Sequence, residues 1–104
     1  MDTKATAQAQ GANIGSKVIR ATQFILEDET GNPCAWLAVR KDGSGLVLSD
    51  ESGEDRAWLV VDKDGPGLVL RDESGKPRAM LSVSKDGPML SLLDENGKVI
   101  RTLP

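Results

Sequence analysis

The chain of 104 residues has no histidine and no tyrosine. That removes the commonest general acid/base, the commonest metal ligand and the phenol nucleophile. Its single cysteine, Cys34, can close neither an internal disulfide nor a zinc site, so stability has to come from packing. Aromatic residues make up only 3% of the chain, too few to fill a core with large rings. Apolar residues come in short runs, far below the roughly 20 that span a bilayer. The first residues lack a basic segment followed by an apolar one. Neither a transmembrane segment nor a signal peptide is therefore expected, there is no membrane insertion, and the default compartment is the cytoplasm. Thirteen basic and sixteen acidic residues are interleaved along the chain, for a net charge of -3. This leaves no basic stripe of the kind a nucleic-acid partner needs.

What the chain does have is repetition. Phe24, Leu46, Leu68 and Leu90 are spaced by 22 residues, and so are Asp28, Asp50, Asp72 and Asp94, and Gly31, Gly53, Gly75 and Gly97. Residues 46–67 and 68–89 agree at 15 of 22 positions without a gap. This is an internal repeat, and it divides the chain into a flexible leader at 1–16, too poor in branched apolar residues to order itself, and a repeat domain at 17–104. The units run 24–45, 46–67, 68–89 and 90–104.

Each unit reads as strand, turn, strand, turn. Glu51-Ser-Gly-Glu-Asp55 and Glu73-Ser-Gly-Lys-Pro77 place a glycine at the third position of a short polar loop between apolar runs. That position suits the left-handed residue closing a type I turn with a bulge. Asp50 with Arg56, and Asp72 with Arg78, flank these loops and can pair across a hairpin, contributing on the order of 0.2 to 1 kcal/mol and fixing register. The second turn is Lys-Asp-Gly at 41, 63 and 85, where Pro66 and Pro88 offer no donor and are expected to stop the ladder. Eight strands are predicted, near 18–28, 35–40, 46–50, 57–62, 68–72, 79–84, 90–94 and 98–103.

Alternation sorts the side chains onto two faces. Face A collects Phe24, Leu26, Ala35, Leu37 and Val39, then Leu46, Leu48, Ala57, Leu59 and Val61, then Leu68, Leu70, Ala79, Leu81 and Val83, and finally Leu90 and Leu92. Its predicted core positions are Leu37, Leu46, Leu48, Leu59, Val61, Leu68, Leu70, Leu81 and Val83, with no polar residue among them. Face B is mixed, and Trp36, Val47, Trp58, Val60 and Met80 form an apolar row on it that suits either an oligomer contact or a binding surface.

The predicted fold class is all-β, an antiparallel meander of tandem hairpins. A β-solenoid is the weaker alternative, because it would stack each aspartate on its own kind at roughly 4.8 Å. A meander with one apolar face must hide that face, either by closing into an eight-stranded barrel or by packing against other chains. A homo-oligomer is the expected form, with a homotrimeric β-prism first.

The pattern Leu68-x-Leu-x-Asp-Glu-Ser-Gly-Lys-x-Arg-Ala-x-Leu-x-Val-x-Lys-Asp-Gly-Pro resembles a tandem repeat met in uncharacterised bacterial proteins. The resemblance covers residues 24–104 and implies a repeat architecture without implying any catalytic residue. More loosely, apolar strands alternating with Gly/Pro turns are similar to the trimeric shaft repeats of viral fibres, whose units are shorter and differently spaced.

No candidate chemistry survives comparison with its structural alternative. Asp62-Lys-Asp-Gly65 lacks the later bidentate glutamate of a calcium loop. The Asp-Glu pairs at 50, 72 and 94 recur in every unit, as turn chemistry does. Ser16-Lys17, Ser82 and Ser84-Lys85 come with no nucleophile elbow. The expected function is a non-enzymatic, self-associating structural or spacer module without cofactor, metal or catalytic residue. The alternative is a carbohydrate- or peptide-binding module using the Trp36, Trp58 and Met80 face.

Overall fold

The computed structural model describes residues 17–104, so the leader expected at 1–16 lies outside the described residues. The chain forms one eight-stranded sheet in sequence order, every neighbouring pair antiparallel, with no helix among the described residues. The strands are β1 Gln23–Glu27, β2 Pro33–Arg40, β3 Gly43–Ser49, β4 Asp55–Asp62, β5 Gly65–Arg71, β6 Pro77–Ser84, β7 Gly87–Leu93 and β8 Val99–Leu103. The meander is thus present, and the solenoid's parallel stacking is not. β1 and β8 are not hydrogen-bonded to each other, so the sheet is open and the closed barrel is not formed.

Two kinds of turn alternate. Between β3 and β4 the Gly53 N–H donates to the Asp50 carbonyl at 3.0 Å and the Asp50 N–H to the Glu54 carbonyl at 2.9 Å. Gly53 sits at φ 87°, and Gly31, Gly75 and Gly97 occupy the same left-handed conformation in the other three hairpins. This is the type I turn with a glycine bulge. The register then skips one residue: Leu48 faces Ala57 but Ser49 faces Asp55, leaving Arg56 as the bulged residue. The second turn is shorter than expected. Only Lys63 and Asp64 lie between the closing pair Asp62 and Gly65, and Pro66 faces Val61 inside the ladder.

The prolines therefore do not end the strands. A proline lacks a donor toward one neighbour only. Accordingly the β5–β6 register begins at Gly67 and Ser82, whereas the β3–β4 register, with Ser44 in place of Pro66, includes two further pairs, Gly43 with Asp62 and Ser44 with Val61. The first strand is also shorter than predicted. It starts at Gln23, and Val18 and Ile19 stand outside it, exposed.

Register lines up face A as three rows. The central one runs Phe24, Leu37, Leu46, Leu59, Leu68, Leu81, Leu90 and Leu103 across all eight strands. On one side Leu26, Leu48, Leu70 and Leu92 alternate with Ala35, Ala57 and Ala79, ending at Arg101. On the other lie Val39, Ser44, Val61 and Pro66, then Val83 and Pro88. Ser44 and Arg101 correct the expectation of a face without polar residues. Ser44 joins it because β3 begins three residues earlier than the apolar pattern indicated.

These rows do not make a core within one chain. Leu37, Leu48, Leu59, Val61, Leu70, Leu81 and Val83 are all exposed, and Leu46 and Leu68 half-buried. Ala35 is the one buried apolar side chain among the described residues. The radius of gyration is 17.5 Å, against roughly 12 to 13 Å for a compact domain of this length. The chain is a sheet with two free faces.

Candidate functional site

Face B is the more sheltered side. Register places Ile25, Trp36, Val47, Trp58, Val69, Met80, Ser91 and Thr102 in one row, one residue per strand. The two indoles are two strands apart, about 10 Å at the usual strand spacing, with Val47 between them. Trp36, Val47, Trp58 and Val60 are half-buried, and Met80 is exposed at 38%. Gly45 has room for no side chain without conflict: a Cβ there would stand 3.0 Å from Val60 Cγ1. Its absence lets Val60 lean over β3.

A depression of about 500 Å³ opens on this face. Its floor includes Trp36, Ala38, Gly45, Val47, Trp58 and Val60, and its rim carries Asp42, Asp55, Asp62, Arg40 and Gln23. The apolar row foreseen from alternation is thus brought together around a cavity, except for Met80, which lies beyond its wall. Asp55 Oδ1 accepts a hydrogen bond from Ser49 Oγ at 3.0 Å, and Asp62 Oδ1 one from the Asp64 N–H at 2.9 Å. Among the described residues, Asp42 and Arg40 have no ion-pair partner.

The two tryptophans differ in what lies on them. The Arg71 guanidinium is 4.5 Å from the centre of the Trp58 ring, a cation–π contact worth about 0.5 to 2 kcal/mol. Beside it, Trp58 Nε1 and Arg71 Nε are both buried without a hydrogen-bond partner, an arrangement that costs about 1 to 3 kcal/mol per group. The position of unit 24–45 equivalent to Trp58 is Trp36, and the residue equivalent to Arg71 is Ser49. Alternation along the strands does not by itself point to this contact. The signal was there: Arg71 is two residues beyond Val69, the cross-strand partner of Trp58, and diagonal neighbours are within reach of long side chains.

The acidic residues serve the turns. Asp50 Oδ1 accepts from the Ser52 and Glu54 N–H groups at 2.9 and 3.0 Å, and Asp72 Oδ1 from those of Ser74 and Lys76 at the same distances. The Glu54 and Lys76 amides hold these two carboxyls below the usual carboxylate range, with Arg56 and Arg78 adding to the effect. Asp28 goes further, from 3.8 to about 2, because the Asn32 amide and the Thr30 hydroxyl both donate to it. Arg56 and Arg78 each reach their aspartate at 3.4 Å. Each also donates from Nε across the next unit, Arg56 to the Arg71 carbonyl at 2.9 Å and Arg78 to the Leu93 carbonyl at 2.8 Å. The bulged arginines tie neighbouring hairpins together.

Ser84 Oγ accepts the Asp86 N–H at 3.2 Å, within its own turn. Among the described residues no three histidine, cysteine or carboxylate side chains cluster as metal ligands. Ser16 lies outside the described residues. Cys34 Sγ is 3.4 Å from the Asn32 carbonyl in the first hairpin. No protein-family model matches the chain, and no curated protein matches it.

Proposed function

We propose that the protein is a non-enzymatic structural or spacer module that associates with copies of itself through face A. The observation that carries this is the face itself: a central apolar row across all eight strands flanked by two largely apolar rows, with seven of the nine predicted core side chains exposed in the single chain. Burying one Leu or Val side chain stabilises by roughly 1.5 to 3 kcal/mol, and ordering each residue's backbone opposes folding by about 1 to 2. A sheet covered on neither side does not meet that demand, and further copies of the chain supply the cover. Symmetric closure is the usual form of such assembly.

The row profile favours three chains over two. Same-face positions along a strand are roughly 6.7 Å apart, so three rows fill a side of roughly 20 Å. The centre of an equilateral triangle with that side lies about 6 Å from each sheet, little more than half the usual separation of about 10 Å between packed sheets. Such an interior needs long side chains midway along each side and shorter ones toward the corners. The central row is leucine on seven strands of eight, and its flanks are Leu/Ala and Val/Ser/Pro. Two stacked sheets would want uniform depth instead. Light scattering at low micromolar concentration tests this. The expected mass is about 33 kDa, three chains of 11.1 kDa, and a mass of one chain overturns the proposal.

A second reading is carried by a separate observation, the depression on face B with two indoles in its floor. It supports a binding surface for a peptide or a carbohydrate. Tryptophan emission that is blue-shifted and protected from quencher in the free protein would count against it.

A further inference from the structure

The difference between Trp36 and Trp58 identifies the chemistry of what face B would hold. The two residues occupy equivalent positions of successive units. On Trp58 the repeat itself provides a guanidinium, from Arg71, at 4.5 Å. On Trp36 the equivalent diagonal position is Ser49, whose side chain is too short to cover an indole. Its hydroxyl instead donates to Asp55 Oδ1 at 3.0 Å. Asp55 belongs to the rim of the depression in which Trp36 and Trp58 both lie. The equivalent positions in the neighbouring units are Pro33 and Pro77, so of the three only this one offers a carboxylate, and it stands cross-strand from Ser49. The rest of the rim has the same sign. Asp42, Asp55 and Asp62 stand against the single Arg40, and none of the three carboxylates has an ion-pair partner among the described residues.

We propose that Trp36 receives a guanidinium group from an arginine side chain of a partner peptide, the cation lying on the indole as Arg71 lies on Trp58. The inference rests on the reading of face B as a ligand surface and names its ligand. A π-face attracts a cation most where water is displaced, and Trp36 is half-buried. A planar guanidinium stacks on a ring and pairs with a carboxylate at once, which an ammonium does less well. Asp55 supplies that carboxylate, and the aspartates at Asp42 and Asp62 attract the cation toward the cavity.

The test is a titration of the full chain, followed by tryptophan emission and calorimetry, with three probes: acetyl-Gly-Arg-Gly-amide, the same peptide with neutral citrulline in place of arginine, and cellohexaose. The arginine peptide is expected to bind one per chain, on the order of tenfold more tightly than the citrulline peptide. Ser49→Arg, which copies Arg71 onto Trp36, should abolish binding with the circular dichroism unchanged. Asp55→Asn, which keeps an acceptor for Ser49, should weaken it several-fold, and Trp36→Leu should remove it. Free arginine amide separates a side-chain site from a peptide site: equal affinity for it would show that the peptide backbone contributes nothing and overturn the peptide partner. Binding of cellohexaose with an inert arginine peptide overturns the guanidinium and leaves face B a ligand surface. Silence from all probes overturns both.

Discussion

Leu59 and Val60 are neighbours in the chain and belong to opposite worlds. Leu59 sits in the central row of face A, leucine on seven strands of eight, and is 48% exposed, while Val60, on the mixed face B, is half-buried. In the isolated sheet the more apolar face is the wetter one. Face B shelters itself because its side chains are unequal: Val60 comes close to the bare Gly45 of β3, and the Arg71 guanidinium lies on the Trp58 ring. Face A cannot do this, because a row of equal leucines projects uniformly and has nothing to fold over. Unequal neighbours make a surface that finishes itself, and equal neighbours make one that needs a partner.

The strongest way to break that comparison is to place a charge on each side of it. Leu59→Asp, and equally Leu81→Asp, puts an unpaired carboxylate where the assembly buries it, at several kcal/mol per chain. Loss of assembly and of native circular dichroism together is the expected result. Val60→Asp is expected to cost about 1 to 3 kcal/mol and to leave the mass of the assembly unchanged. Light scattering on both variants reads the outcome, and an intact assembly in Leu59→Asp would show that face A is not the inner face.

The next test compares two glycines. Gly65 and Gly87 begin equivalent strands with φ at 113° and 110°. A Cβ on Gly65 would collide with the Val83 carbonyl of β6, whereas one on Gly87 would meet nothing within 4 Å. Alanine therefore incurs the left-handed penalty at both, about 1 kcal/mol, and must also force two strands apart at Gly65. Gly65→Ala is expected to lower the urea midpoint at least twice as far as Gly87→Ala. Equal effects would mean that the strands part freely at that end.

Much of this was legible in the sequence, and the reasons differ by element. The hairpins at Asp50 and Asp72 were readable because a left-handed glycine and flanking opposite charges are local requirements, repeated four and two times over. The order of the strands followed from short loops. The Lys-Asp turns are shorter than the sequence suggests, because Asp-Gly signals a turn while the glycine itself belongs to the next strand. Pro66 reads as a stop in the sequence, although its missing donor affects one side only. The depression on face B was not legible. It depends on Val60 leaning over Gly45 and on a diagonal contact between Trp58 and Arg71, which need the register to be known first.

Acid sharpens the contrast from a third direction, since it leaves both apolar faces untouched and acts on the turns. The carboxyls of Asp28, Asp50 and Asp72 are lowered by amide donors that exist only in the folded hairpins. The stability they contribute is complete above the ordinary carboxylate range and is lost as pH falls through their folded values, for Asp28 between 3.8 and about 2. The urea midpoint should be flat from pH 7 to 5 and fall below 4. Asp28→Asn keeps an acceptor that does not titrate and should flatten the lowest part of that fall. An unchanged profile would show that the first hairpin is not coupled to the stability of the sheet.

The smallest expected effect separates the two roles of the bulged arginines. Arg56 carries an ion pair to Asp50, at 3.4 Å and partly exposed, and a shorter hydrogen bond from Nε to the half-buried Arg71 carbonyl. Exposed ion pairs contribute about 0 to 1 kcal/mol and are screened by salt. An orphaned carbonyl in a partly buried seam is not rescued by salt, and a hydrogen bond from a charged donor is the stronger kind. Arg56→Ala should therefore destabilise by about 1 kcal/mol, and the loss should persist in 0.5 M sodium chloride. Arg56→Lys keeps the charge near Asp50 but has a single ammonium, which cannot pair with the carboxylate and reach the next unit at the same time. It should behave like alanine at high salt and like arginine only at low salt. If Arg56→Lys equals the parent at every salt concentration, the ion pair alone matters, and the seam between units is held by the ladder and not by the arginine.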